Sequence, residues 1–415
     1  MNKDTLKFGS VYMYHHLNEP EYVGPVLTKN IGGSCIQMDF AEVSAWYQIE
    51  RSPGVYDWTT MDKAYDACEH AGIEPMPSLC HHFAPHEWVK DGPFNDELID
   101  TPEYSSLYGS EYGRLTVAQK SFADFVTAFV KRYRKRTNLY IMSHEYNLAY
   151  LLTTKKGTPE YNRLITNQTG SLLLAYNIIK KLAPTAKFTY GLAVNYLRDS
   201  FGGEPITPLH FGAERSPFGP RFMINKYVET GNKDFLDLMK TTDIFYFGYT
   251  TLESADDMVP IYADDRAGDV AESFYNGKTT VDGKTYYYRD YVKEIIINHL
   301  SSTGKWLLNP EHPYTESQQA ELLKGSLNNI LTAKSRGVPI NRILVPLVDK
   351  NEYVGPVSSN DADNWLYVPE GLFKMRGEVE RLKKGRTVVP KTITYEPKKA
   401  VDAYKKAVLS YQESK

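Results

Sequence analysis

The chain has 415 residues, a hydrophobic share of 42% and a net charge of −3. That length admits one large barrel or two to three ordinary domains, with enough apolar material for a substantial core. The small net charge, without any block of like charge, excludes a general attraction to nucleic acid or to an anionic membrane surface.

Taken in chain order, short apolar β-type runs alternate with helical patterns. Lys7–His16 and Ser34–Phe40 predict the first two strands, and a helix over Thr60–His70 follows. Glu74–His82 predicts the third strand and Val117–Tyr133 its helix. Asn138–Glu145 predicts the fourth, with a helix over Ser171–Leu182 stopped by Pro184. Lys187–Tyr196 and Asp243–Tyr249 predict strands five and six. Lys305–Glu311 predicts the seventh, before a helix over Thr315–Ser335 whose start, Thr315-Glu-Ser-Gln318, has the form of a capping box. Arg342–Val348 predicts the eighth strand, and Gly371–Lys383 its helix. The runs are continuously apolar rather than alternating, as parallel strands covered on both faces require. Eight such repeats predict an α/β fold, a (β/α)8 TIM barrel, rather than an open doubly wound sheet. Turns entering the strands are short and loops leaving them are long, which puts the working face at the strands' C-terminal ends. The expected organisation is a barrel over residues 1–383 and a C-terminal extension over 384–415, with one helix, Lys398–Gln412, packed on its exterior.

Two of these runs end on a glutamate, Glu145 and Glu311. A carboxylate at the tip of a parallel strand is poorly placed for packing and well placed for chemistry. Side chains at the tips of strands four and seven of a barrel can converge across its mouth. Two facing carboxyl groups, about 5–5.5 Å apart in retaining enzymes, are the equipment of glycoside hydrolysis. Each glutamate alone also reads as an ion-pair partner or a helix-entry carboxylate.

Several segments resemble the clan A glycoside hydrolases. Trp46-Tyr-Gln-Ile-Glu-Arg-Ser-Pro-Gly-Val-Tyr-Asp-Trp58 is similar to the segment after strand two in family 10 xylanases. Gly72-Ile-Glu-Pro75, with Leu79-Cys-His-His-Phe-Ala-Pro85 and Trp88, is similar to strand three of families 1 and 10. Leu173–Lys187 is similar to the text before strand five, and Asp243–Tyr249 to strand six of family 1. The resemblance is patchy over roughly residues 7–350. It implies a retaining β-glycosidase acting on an oligo- or polysaccharide, with Glu145 as acid/base and Glu311 as nucleophile. It further implies His81 beside the substrate and Tyr249 supporting Glu311. His144 stands where the clan usually has asparagine, and strand eight lacks the clan's tryptophan, a place that Trp365 can take from a longer loop. Asn195 is a further candidate for hydroxyl contacts; Trp46, Trp88, Trp365 and Tyr146 are candidates for stacking. A glycan-binding barrel without turnover is the alternative that His144 motivates.

Histidines near strand ends (His15, His16, His81, His82, His144 and His312), with Asp39 and Glu145, also suit zinc or manganese in a metal-dependent hydrolase or isomerase. No H-x-H on strand one and no H-E-x-x-H helix accompanies them, and neutral histidines bonding sugar hydroxyls explain the same cluster. No metal or other cofactor is expected. Cys35, Cys68 and Cys80 are too few for a disulfide framework. No run of 18 apolar residues predicts a membrane span. Met1-Asn-Lys-Asp-Thr-Leu-Lys7 has no signal-peptide pattern. Compartment, oligomeric state and sugar identity stay open.

Overall fold

A computed structural model describes residues 5–12, 22–38, 45–81, 88–142, 158–193, 218–250, 266–301, 315–353, 365–368, 371–382 and 387–414. Eight strands close into one barrel: β1 (Lys7–Tyr12), β2 (Cys35–Met38), β3 (Glu74–Leu79), β4 (Leu139–Met142), β5 (Lys187–Ala193), β6 (Phe245–Thr250), β7 (Ile295–Ser301) and β8 (Ile340–Pro346). Every neighbouring pair is parallel, and β1 meets β8 from Lys7↔Arg342 to Val11↔Pro346. The outer layer holds α1 (Gly24–Asn30), α2 (Thr59–Ala71), α3 (Val117–Tyr133), α4 (Pro159–Leu182), α5 (Asp234–Thr241), α6 (Ala267–Asn276), α7 (Glu316–Ser335) and α8 (Lys399–Glu413).

Local chemistry accounts for the helix ends. Thr315 accepts from Gln318 N while the Gln318 side chain accepts from Thr315 N, completing the expected capping box at 3.2 and 2.8 Å. Thr116 and Gln119 build the same device at the start of α3. Gly72 ends α2 at φ 70°, a left-handed conformation that glycine adopts without a Cβ penalty.

Alternate strand positions fill the barrel. Val11, Cys35, Met76, Leu139, Ile141, Ile244, Tyr246, Ile296 and Leu344 form one interior cluster. Phe8, Ile36, Tyr140, Phe188, Phe247, Ile297 and Ile343 belong to the outer cluster shared with the helices. Gly9 is small because a Cβ there would lie 2.4 Å from Cys35 O and 2.5 Å from Cys35 Sγ. The floor, at the strands' N-terminal ends, is charged. Glu74 meets Lys7 Nζ at 2.6 Å and Arg342 Nη2 at 3.1 Å, and Lys187 Nζ bonds both Glu294 oxygens at 2.5 and 2.6 Å. Burial alone would raise the Glu74 carboxyl; Arg342 and Lys7 outweigh it and hold the group below its ordinary range.

Two expected elements are corrected. The seventh strand is Ile295–Ser301, not Lys305–Glu311. Its β-branched run pairs with both neighbours, Phe245↔Ile295 on one side and Ile295↔Ile340 on the other. Residues 302–314, Glu311 among them, lie outside the described residues, in the segment between β7 and α7. The helix expected over Gly371–Lys383 is an antiparallel hairpin, Phe373–Leu382 paired with Thr387–Pro397. Its sequence alternates with period two (Phe373, Met375, Val379 against Lys374, Arg376, Glu378), and this strand signal prevails over helix-favouring side chains.

The eighth helical position is filled by α8, which packs on α7. Tyr404 OH donates to Gly9 O at 3.0 Å, and the Leu6 amide donates to Tyr411 OH at 3.0 Å. A buried ion pair fixes the entry to α8: Lys398 Nζ lies 2.5 Å from Asp349 Oδ1, with side chains 3% and 0% exposed. Gly371 N donates to the same oxygen at 3.0 Å. Replacing Asp349 by Ala takes away the carboxylate facing a buried ammonium. Urea unfolding is expected to show a loss of about 3–5 kcal/mol, and Asp349→Leu with Lys398→Met to recover most of it.

Candidate active site at the barrel mouth

The C-terminal strand ends frame the mouth. Beneath it the interior turns polar: Gln37 on β2, Ser78 on β3 and Asn298 on β7 are each fully buried. Tyr246 OH donates to Gln37 Oε1 at 2.7 Å, while Gln37 Nε2 is buried with no hydrogen-bond partner among the described residues. Sequence reading passed over these three residues. The signal was there: each is a lone polar residue inside an apolar run, at the parity of the interior positions Cys35, Met76 and Ile296.

Most of the predicted site falls where the structure gives no description. Glu145, His144, Tyr146, Asn195 and Glu311 lie outside the described residues. Tyr249 lies on β6, and Trp365 on the short strand Trp365–Val368 that pairs with Lys350–Tyr353. β4 ends at Met142, three residues before Glu145. β7 carries no carboxylate between Ile295 and Ser301, and Glu311 comes ten residues after its end. Among the described residues no cluster of three or more His, Cys, Asp or Glu could hold a metal ion, and no helix is long and apolar enough to cross a membrane.

Two of the expected sugar contacts, Trp46 and His81, are buried side chains. Trp46 is 0% exposed. Its ring stacks on Phe125 at 5.7 Å, and its Nε1 donates to Glu50 Oε2 at 2.5 Å. Glu50 Oε1 accepts from Gly54 N at 2.8 Å. Burial raises the Glu50 carboxyl, with the Gly54 and Trp46 donors acting against it. The Trp46–Trp58 segment is thus a structural clip: one buried carboxylate ties an indole to the turn of a hairpin. His81 is 2% exposed and lies outside the barrel interior. Its Nδ1–H donates to Gln168 Oε1 on α4 at 3.2 Å, and its ring packs on Phe122 of α3 at 4.7 Å. His81 nevertheless borders a depression lined by Phe94, Thr116, Gln119, Glu160 and Arg163. Trp88 is half-buried, edge-on to Trp46 at 6.2 Å, and lines an outer depression against α3 rather than the mouth.

No family model matches the chain, and no curated protein matches it. Solved structures do. A psychrophilic family 10 endo-β-1,4-xylanase superposes with a TM-score of 0.51 at 14% identity, covering 97% of both chains. A β-glucosidase from Thermotoga maritima in complex with azafagomine gives 0.62 at 11% identity, over 95% of this chain and 86% of that one. Xylanase 10B from Thermotoga maritima gives 0.55 at 12% identity, over 100% and 98%.

Burial pushes the His81 imidazole down from 6.5 to about 4, while contacts with Gln168 and the Ala118 backbone act in the opposite sense. Between those values the unfolded chain binds a proton that the folded chain refuses, so stability falls as pH drops from 6.5 towards 4. The full contribution is on the order of 3 kcal/mol. Urea titrations across that window are expected to show the slope in the wild type and a flatter one in His81→Phe. The chain, then, has the (β/α)8 barrel fold of these clan A glycosidase structures.

Proposed function

We propose that the chain is a glycoside hydrolase that cleaves β-glycosidic bonds of an oligo- or polysaccharide by double displacement. The observation that carries this reading is the closed barrel of eight parallel strands, a fold whose sites are built by the segments that follow the strands; Glu145 follows the end of β4 by three positions in the sequence. The barrel's likeness to a β-glucosidase and two xylanases supports the same chemistry. In this reading Glu311 attacks the anomeric carbon while Glu145 protonates the leaving oxygen. Water activated by Glu145 then releases the sugar. In this reading the nucleophile belongs to the sequence segment between β7 and α7, since Glu311 comes ten residues after Ser301. Tyr249 donates to Glu311; His144 and Asn195 bind hydroxyls; Tyr146 and Trp365 supply stacking faces. The buried amides of Gln37 and Asn298 make the barrel interior polar beneath the mouth.

One observation favours a second reading, glycan binding without turnover: the absence of a carboxylate on β7 after Glu294. Activity on β-linked xylo- and gluco-oligosaccharides separates the two. Glu145→Gln is expected to lower kcat by about 10²–10⁴, the usual contribution of a positioned general acid/base. Azide is expected to rescue Glu311→Ala with an inverted glycosyl azide as product. Full activity in Glu311→Gln would remove Glu311 from the mechanism, and binding without turnover in the wild type would establish the second reading.

A further inference from the structure

A second concave site lies on the outer wall, between α3 and the hairpin of Glu50–Ser52 and Val55–Tyr56. It encloses about 430 Å³, within the range of ligand sites, and is lined by Glu50, Tyr56, Trp88, Asp124, Thr127 and Lys131, among others. Glu50 is 3% exposed, and its carboxylate is oriented by Trp46 Nε1 and Gly54 N. Asp124 is held by Tyr104 OH at 2.6 Å and Lys120 Nζ at 2.7 Å. Trp88 Nε1 is buried and has no hydrogen-bond partner among the described residues, a donor left with its desolvation cost.

The lining selects a class of ligand. Two carboxylates oppose an anion. Lys131 at the rim and Lys120 on Asp124 oppose a cation. Glu50 is already held by Trp46, Gly54 and Tyr56, but the half-exposed Asp124 carboxylate and the indole N–H would go unused by a purely apolar guest. A neutral polyhydroxyl molecule meets all of them: its hydroxyls donate to Glu50 and Asp124 and accept from Trp88 Nε1, Lys131 and Thr127. The rings of Tyr56 and Trp88 cover its C–H faces. We propose that this wall depression is a saccharide-binding site separate from the barrel mouth. The inference rests on the lining alone and not on the catalytic reading.

Isothermal titration of the full-length chain with cellohexaose and with xylohexaose tests it, every protein carrying Glu145→Gln so that no ligand is consumed. Ala128→Trp fills the depression from α3 and is expected to abolish one class of binding. Trp88→Phe keeps a ring, removes the N–H, and is expected to weaken the same class about five- to tenfold, the loss of one hydrogen bond. Melting curves verify folding, and Trp88→Phe decides the matter if Ala128→Trp fails to fold. Undiminished binding in a folded variant, or no binding of either hexasaccharide at millimolar concentration, overturns the proposal. A wild type that turns over neither sugar, yet loses binding in Ala128→Trp, sinks the catalytic reading and leaves this one standing.

Discussion

Closure of the sheet between β1 and β8 is the constraint on which the rest depends. Parallel strands expose a row of backbone donors and acceptors at each edge, and a barrel removes both edges at once. The seam concentrates the fold's most specific devices. Gly9 lets β1 and β2 approach without a clash, and its carbonyl is taken up by Tyr404 from α8. Below it Lys7 and Arg342, one from each side of the seam, share Glu74. Charges in such a place cost desolvation, and excellent geometry is what makes them tolerable. Register is the return: a one-residue slip of β1 on β8 would separate Lys7 from Glu74 and turn Phe8 into the barrel.

Closure also explains why the last helix matters. α8 covers the strand that begins the chain, so the first and last described elements stabilise each other. The hairpin Phe373–Pro397 lies between β8 and α8 in the chain. The Asp349–Lys398 pair, with Gly371 N on the same oxygen, fixes the entry to α8.

The segment Trp46–Trp58 shows how a family-like pattern can carry structure rather than chemistry. Aromatic residues and a glutamate at that spacing suggest sugar contact. In three dimensions the glutamate serves the tryptophan, and both serve the packing of α3 against the hairpin. His81 is a similar case. A histidine just past a strand end can face the mouth or the helices, and one step in the pleat decides which. With Glu74, Met76 and Ser78 on the interior parity, position 81 goes outward, to Gln168 and Phe122.

By itself the amino-acid sequence determined the fold class, the positions of seven strands and the helices α2, α3, α7 and α8. These rest on local signals: unbroken apolar runs, 3.6-residue periodicity and a capping box. Glu145 is a candidate on the same kind of local signal, a carboxylate that follows an apolar run, and it lies outside the described residues. The seventh strand was decided only by tertiary structure. Two apolar runs, Ile295–Ser301 and Lys305–Glu311, competed for one slot, and the run that could pair with β6 and β8 together took it. The eighth helix was likewise settled by packing, since α8 and not the charged, alternating Phe373–Leu382 had an apolar face to lay on Phe8 and α7. Pairing partners and buried faces lie far apart along the chain, and no window of sequence contains them.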